Sequence, residues 1–165
     1  MMLYTSQLIP LLSYQALMPI SLPLITTFPC LLIIRGIPGS GKSTLAQRYM
    51  QSMPDAVHCE ADHYFINSQG EYCYDGRKIK NAHELCQRNI KKALGQGKSV
   101  IVSNTSIRMW ELKTLLDIAV NYDVIPYIIH CRGDFTSTHN VPADIVTRMA
   151  LSYEPHPDES CYIPS

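Results

Sequence analysis

The chain has 165 residues and a mass of 18.6 kDa; 46% of its residues are hydrophobic and 17% are charged. This length allows one domain with a full hydrophobic core but not two. The 14 basic residues balance the 14 acidic ones, which excludes a protein that holds nucleic acid mainly by bulk positive charge. The six cysteines are scattered without a C-x-x-C pair. That spacing supports neither a zinc site nor a disulfide framework, and reduced thiols are expected.

The chain begins with an uncharged, apolar extension over residues 1–29, and Arg35 is the first charged residue. Pro10, Pro19 and Pro23 interrupt this stretch and no basic residue precedes it. We therefore expect neither a signal peptide nor a stable membrane association. A poorly packed extension and an additional packed strand or helix are both compatible with these residues. The expected location is cytoplasmic.

From residue 30 onward, short apolar runs alternate with helix-prone segments. The pattern predicts strands at residues 30–34, 56–61, 99–102 and 124–130, and helices at residues 43–52, 78–94, 109–120 and 142–153. Such alternation with short connections is typical of an α/β domain, in which helices flank a mostly parallel β-sheet. We assign residues 30–155 to this domain and expect residues 156–165 to form a loose C-terminal tail.

Residues 36–43 match the pattern G-x-x-x-x-G-K-[ST], directly after a predicted strand and directly before a predicted helix. In that context the glycines let backbone N–H groups turn inward onto phosphate oxygens, and the helix adds its positive N-terminal end. The pattern therefore predicts a phosphate loop that binds ATP. The predicted contact residues are Gly36, Ile37, Pro38, Gly39, Ser40, Gly41, Lys42, Ser43 and Thr44.

Two residues of the phosphate loop have specific predicted roles. Lys42 reaches the β- and γ-phosphates as a point charge, and the hydroxyl of Ser43 is a ligand of Mg²⁺. ATP and Mg²⁺ are therefore the predicted cofactors.

Asp62 lies at the carboxyl end of the second predicted strand, the edge at which ligands bind in open parallel sheets. Its carboxylate is suited to accept the proton of an attacking hydroxyl, the role of a general base in phosphoryl transfer. It is equally suited to the shell of Mg²⁺, and a helix N-cap is the structural alternative. Glu60, two residues earlier on the same side of the strand, is either part of this site or a structural residue.

The third predicted strand ends in Ser103, Asn104 and Thr105 rather than in an acidic residue. An ATPase that activates water normally carries an acid at this position. Neutral polar side chains orient a phosphate or a magnesium-bound water but do not serve as a strong base. This strand end therefore favours a small kinase over a hydrolysing motor.

Residues 35–44, 61–65 and 100–105 together resemble the P-loop polynucleotide 5′-kinase-like ATPases. This group of AAA-type P-loop kinases includes the kinase half of the bacteriophage end-healing enzymes and the kinase-like domains of Nedd4-binding proteins. The resemblance extends from residue 30 to residue 155. Further matches lie at residues 70–75, 82–86, 110–111, 139–142 and 148–149. The resemblance implies a P-loop kinase fold.

The resemblance also implies transfer of the ATP γ-phosphoryl group to a hydroxyl, in the best-known members the 5′-OH of DNA or RNA. Lys42 and Ser43 match the family's phosphate and Mg²⁺ contacts, and Asp62 matches its general base. The phage kinases carry an arginine three residues after the base, where this chain has Phe65. They also carry lid arginines that residues 134–140 lack. The nearest catalytic candidates are Arg132 and Arg148.

Other features have two interpretations each. His83 and His139 either line the acceptor site or are structural, and Trp110 either stacks on a base or packs its helix. Residues 77–98 contain seven basic residues and one acid, which indicates either a track for a nucleic-acid backbone or a solvated helix face. Two rival functions follow: a small-molecule kinase on the same core, and a nucleotide-dependent nucleic-acid-binding module with weak or no transfer.

Overall fold

The computed structural model describes residues 28–135 and 141–164. Residues 1–27 of the N-terminal extension and the predicted site residue His139 lie outside the described residues. The strands are β1 (Cys30–Arg35), β2 (Val57–Cys59), β3 (Val100–Val102), β4 (Ile125–Cys131) and β5 (Ser160–Tyr162). The α-helices are α1 (Lys42–Ser52), α2 (Ile79–Gly95), α3 (Met109–Asn121) and α4 (Ala143–Leu151), and 3₁₀ turns occupy Ala61–Phe65 and Gly76–Lys78. Across these ranges, no helix has the length and apolar character needed to cross a bilayer.

The five described strands form one sheet in the order β2-β3-β1-β4-β5, and every neighbouring pair is parallel. The predicted α/β fold with a mostly parallel sheet is confirmed. Because all five strands run the same way, their carboxyl ends meet at one edge. That edge carries the phosphate loop after β1 and the segment with Asp62 after β2.

The sheet is buried on both faces, which explains why its central strands are apolar without alternation. Successive side chains of β1 point to opposite faces. Leu31 and Ile33 pack in a core with α2 and α3, whereas Leu32 and Ile34 pack in a second core with α1. All six residues of β1 are buried, so the strand that leads into the phosphate loop is fixed from both sides.

The C-terminal segment is part of the sheet, because β5 pairs with β4 over Ser160–Tyr162. The expectation of a loose tail over residues 156–165 is therefore wrong for its described residues. The physical reason is Arg35, which is fully buried at the end of β1. Its guanidinium is 3.1 Å from Glu159 and 4.5 Å from the ring centre of Tyr153, so a buried charge holds this segment in place.

Candidate functional site

The phosphate loop is clamped between the carboxyl ends of β3 and β4. The amide of Gly36 donates to the carbonyl of Thr105 at 3.0 Å. On the other side, the amide of Gly133 donates to the carbonyl of Ser40 at 3.0 Å, and that of Phe135 donates to the carbonyl of Gly39 at 2.9 Å. These backbone contacts preorganise the loop before any ligand binds.

Two glycines of this loop have a conformation that other residues adopt only with strain. Gly39 and Gly41 have φ angles of 81° and 89°, in the left-handed region that favours glycine. Gly41 directly precedes the first residue of α1. The loop therefore leads directly into the N-terminus of a helix, the arrangement that binds phosphate.

Lys42 is buried, with 8% of its surface exposed, and its Nζ donates to the carbonyl of Ile37 at 2.8 Å. Among the described residues, no other hydrogen-bond partner of this ammonium is found, although it has three donors. Burial lowers the pKa of Lys42, and the nearby carboxylates of Glu60 and Asp62 oppose that shift. A buried ammonium short of acceptors fits a loop that binds the phosphates of a nucleotide.

Glu60 is the carboxylate that contacts the phosphate loop. The hydroxyl of Ser43 donates to Glu60 Oε1 at 3.1 Å, so Glu60 lies against the phosphate loop. Asp62 lies in the same cavity, and its Oδ1 accepts a hydrogen bond from the hydroxyl of Tyr72 at 3.1 Å. Ser43, Glu60 and Asp62 together offer the oxygen donors that Mg²⁺ prefers, so the residues present fit this ion.

The neutral end of β3 holds the segment that carries these acids. The side-chain oxygen of Asn104 accepts from the amide of Ala61 at 2.8 Å. The hydroxyl of Ser103 is 2.7 Å from Nε2 of His58. Burial, with a smaller effect of nearby His63, lowers the pKa of His58 to about 4, so its ring is neutral at pH 7. The polar residues of this strand end therefore position the turn that carries Asp62.

A cavity of about 630 Å³ joins the phosphate loop to an aromatic wall. Tyr72 and Tyr74 form this wall; their rings are nearly parallel at 16°, with centres 6.5 Å apart. Beneath them lies Phe65, which is 4% exposed and whose ring centre is 5.0 Å from that of Tyr74. His83 lines the same cavity, as do Ile79, Ile145 and Met149. The aromatic wall lies in a turn-rich loop, and sequence reasoning missed it.

Neither predicted arginine lines this cavity in the described part of the chain. Arg132 is exposed just after β4, with one guanidinium nitrogen 3.9 Å from the sulfur of Cys161. Arg148 lies on α4, 3.3 Å from Asp144, and its side chain is 69% exposed. The structure thus brings together Lys42, Ser43 and Asp62, but places both arginines apart from them.

The basic residues of the stretch 77–98 are divided between the two ends of α2. Arg77 and Lys78 lie near the cavity and pair with Asp75, and Lys80 is 3.9 Å from Glu84. The remaining basic residues are exposed along the rest of the helix and after it; they are Arg88, Lys91, Lys92 and Lys98. Trp110 is 70% exposed, so it does not pack its helix against the core.

A family model described as an AAA domain matches residues 31–138. The chain belongs to this family. Human NEDD4-binding protein 2 is 38% identical to it over 137 residues, which are 75% of this chain and 8% of that protein. The chain therefore spans only a small part of the length of this relative.

Solved structures share the fold of this AAA-domain chain. Kti12 from Chaetomium thermophilum, in complex with ADP-AlF3, has a TM-score of 0.62 at 15% identity and covers 82% of this chain and 88% of its own. A chain of the Pnkp1/Rnl/Hen1 complex has a TM-score of 0.55 at 20% identity and covers 73% of this chain and 38% of its own. The protein has the fold of the P-loop kinases.

Proposed function

We propose that this protein transfers the γ-phosphoryl group of ATP to the 5′-hydroxyl of a DNA or RNA end, with Mg²⁺ as the cofactor. The main support for the proposal is the position of Asp62. This carboxylate lies in one cavity with the phosphate loop and the aromatic wall. A hydroxyl bound against that wall would face both the donor phosphate and a base.

The donor side of the cavity supports binding of a nucleoside triphosphate. The phosphate loop supplies the N-terminus of α1 and the buried ammonium of Lys42, groups that stabilise charge on a transferring phosphoryl group. Mg²⁺, held by Ser43 with Glu60 beside it, would neutralise negative charge on the phosphates. The residues that would hold ATP and Mg²⁺ therefore lie close together.

The acceptor side supports a nucleic-acid end rather than an anionic small molecule. Tyr72 and Tyr74 present aromatic surface, and a base stacked on such a ring gains about 1–3 kcal/mol. At the position where the phage kinases carry an arginine for the substrate phosphate, Phe65 is buried under these rings. Recognition by stacking in place of a phosphate clamp suits an uncharged 5′-OH nucleoside terminus. The Pnkp1/Rnl/Hen1 assembly, which shares the fold, is described as an RNA repair complex.

The proposed phosphoryl transfer needs no protein group beyond these residues. The acceptor oxygen forms a bond to the γ-phosphorus, and the bond from that phosphorus to the bridging oxygen of ADP breaks. The hydroxyl proton passes to the carboxylate of Asp62. The hydroxyl of Tyr72, which donates to Asp62 Oδ1, orients that carboxylate toward the acceptor.

The expected location is cytoplasmic, where ATP is available. All six cysteines are free thiols, four of them buried, as is usual in a reducing compartment.

One observation favours a second candidate function: no arginine lines the cavity among the described residues. A nucleotide-dependent nucleic-acid-binding module with weak or no transfer is the function that this observation supports.

The test is transfer from γ-labelled ATP to 5′-OH DNA and RNA oligonucleotides, with the same oligonucleotides bearing a 5′-phosphate as blocked acceptors. Nucleosides and sugars complete the panel. We expect label on 5′-OH ends alone, and a loss of about 10²–10⁴-fold in Asp62→Asn. Binding of ATP with Mg²⁺ should change by a few fold at most, since the phosphate loop is intact.

Asp55→Asn is the matched control, because Asp55 is exposed outside the cavity. Transfer to small acceptors in preference to oligonucleotides would establish the small-molecule kinase instead. Absence of transfer with every acceptor, with ATP binding retained, would establish the binding module. Loss of nucleotide affinity in Asp62→Asn would reassign this carboxylate from the base to the shell of Mg²⁺.

A further inference from the structure

His58, Glu60 and His63 form a compact cluster beside the phosphate loop. One ligand atom from each side chain lies within 4.8 Å of the other two. Glu60 Oε2 is 3.8 Å from Nε2 of His58 and 3.9 Å from Nε2 of His63. The two imidazole rings meet edge to face with centres 5.1 Å apart. Three potential ligand atoms thus converge on one small volume.

The local fold explains this convergence. His58 and Glu60 are two residues apart at the end of β2, so their side chains point to the same face. The 3₁₀ turn that follows begins at Ala61 and brings His63, three residues after Glu60, back over the carboxylate. The amide of Ala61 is fixed by Asn104, so the turn that aligns the three side chains is held from outside the cluster.

We propose that His58, Glu60 and His63 bind a transition-metal ion of the Zn²⁺ type. Two imidazole nitrogens and one carboxylate oxygen are a ligand set that suits Zn²⁺ and Co²⁺, whereas Mg²⁺ takes oxygen ligands. Nitrogen-to-oxygen separations of 3.8 and 3.9 Å need only a small contraction to place an ion about 2 Å from each atom. Three protein ligands leave the fourth tetrahedral position to water.

The cluster is accessible but not fully exposed. The side chains of His58 and Glu60 are 17% and 11% exposed, and that of His63 is 49% exposed. An ion can therefore enter past His63. The hydroxyl of Ser103 occupies one side of Nε2 of His58 at 2.7 Å, and an ion bound to this nitrogen replaces that hydrogen bond.

This cluster is distinct from the oxygen site at the phosphate loop, although both use Glu60. Oε1 of Glu60 accepts from Ser43 at 3.1 Å, whereas Oε2 is 3.4 Å from the same hydroxyl and also faces the two imidazoles. The shorter contact with Ser43 is thus made by the oxygen that does not face the imidazoles. The inference rests on the three side chains and holds whether or not the protein transfers phosphate.

The test is titration of the purified protein with Zn²⁺ by calorimetry and with Co²⁺ by visible absorption. Cys73 and Cys161 are exposed thiols, so both are first changed to serine to remove competing ligands. We expect one ion per chain and the absorption of tetrahedral Co²⁺. Loss of a group that hydrogen-bonds a metal ligand alters metal affinity by about 10–100-fold, so loss of a ligand itself in His63→Ala should weaken binding by at least about tenfold.

His83→Ala is the matched control, because His83 lines the cavity outside the cluster; it should bind as tightly as the parent. Ser103→Ala should bind at least as tightly, since it removes a hydrogen bond that the ion must replace. His63 is half exposed, so its alanine variant is expected to fold, and thermal unfolding with chelator checks this. No binding to the parent that carries Cys73→Ser and Cys161→Ser, or equal affinity in His63→Ala, would overturn the inference.

Discussion

The hydroxyl of Ser43 donates a hydrogen bond to Glu60 at 3.1 Å, so the helix that follows the phosphate loop and the end of β2 meet at this point. Asp62, two residues further on, instead accepts a hydrogen bond from Tyr72. The two carboxylates therefore differ in these hydrogen bonds, although both oppose the lowered pKa of Lys42. This difference supports the proposal that Glu60 lies near Mg²⁺ and that Asp62 serves the acceptor.

Glu60→Gln should raise the Mg²⁺ concentration needed for tight ATP binding by about tenfold, the effect of losing a group that hydrogen-bonds a metal ligand. The amide retains the hydrogen-bonding reach of Glu60 but lacks its charge. The measurement is ATP binding across a Mg²⁺ titration in buffer freed of transition metals. Glu84→Gln, on the exposed face of α2, is the control. An unchanged Mg²⁺ dependence would mean that the contact with Ser43 exists in the ligand-free protein alone.

Lys42→Met should nearly abolish phosphoryl transfer and yet stabilise the ligand-free protein. The buried ammonium is poorly solvated, which is why its pKa is lowered, and methionine fills a similar volume without charge. Replacing a destabilising functional group commonly gains about 0.5–2 kcal/mol. Chemical unfolding without nucleotide measures this gain, with the exposed Lys98→Met as the control. A loss of stability would show that the hydrogen bond to Ile37 outweighs the burial of the charge.

Much of this site could be predicted from the sequence, because its parts are local. The phosphate loop is one short pattern, and a fully buried strand shows as an apolar run whatever surrounds it. The contact between Glu60 and Ser43 could not be predicted, since the two residues lie on different elements. The aromatic wall could not be predicted for a similar reason. Tyr72 and Tyr74 sit in an irregular loop, and packing on Phe65 brings their rings together.

The C-terminal strand was missed because its sequence carries no strand pattern. Ser160–Tyr162 is three residues long and follows a segment rich in proline. What fixes it is the buried charge of Arg35, and nothing near Arg35 in the sequence reveals that its partner is Glu159. Long-range ion pairs of this kind decide where a weak strand lies, and only the folded structure identifies them.

Tyr74→Ala should weaken binding of the acceptor without changing ATP affinity. Loss of a stacking platform costs about 1–3 kcal/mol per base, so we expect the KM for a 5′-OH oligonucleotide to rise at least about fivefold. Trp110→Ala is the matched control, an exposed aromatic outside the cavity. Equal effects of Tyr74→Ala and Trp110→Ala on this KM would show that the aromatic wall is not part of the acceptor site.

Charge reversal at Lys91 and Lys92 should affect long nucleic acids more than short ones. These residues are near the end of α2 remote from the cavity, and a helix of 17 residues is about 25 Å long. A dinucleotide bound at the aromatic wall cannot reach them, whereas a long strand following the helix can. We expect weaker binding and a smaller salt dependence for long oligonucleotides alone. An unchanged salt dependence would identify this part of α2 as a solvated helix face.

Glu159→Gln should destabilise the protein strongly, although it lies far along the chain from β1. Its side chain is 10% exposed and pairs with Arg35, whose side chain has no exposed surface. Removing one partner of a buried ion pair leaves an uncompensated charge and costs about 3–5 kcal/mol. The hydroxyl of Tyr153 also donates to Glu159 at 2.9 Å, and Nδ1 of His130 is 3.4 Å from its other oxygen, so the amide would have to satisfy these partners without charge.

Chemical unfolding at pH 7.5 measures the effect of Glu159→Gln, and Asp158→Asn is the control because its side chain is 86% exposed. The double substitution Arg35→Met with Glu159→Gln should recover much of the stability, since no buried charge then remains unpaired. Such recovery would locate the loss in the ion pair itself. A loss below about 1 kcal/mol in Glu159→Gln, typical of exposed pairs, would mean that β5 is held by its backbone pairing with β4.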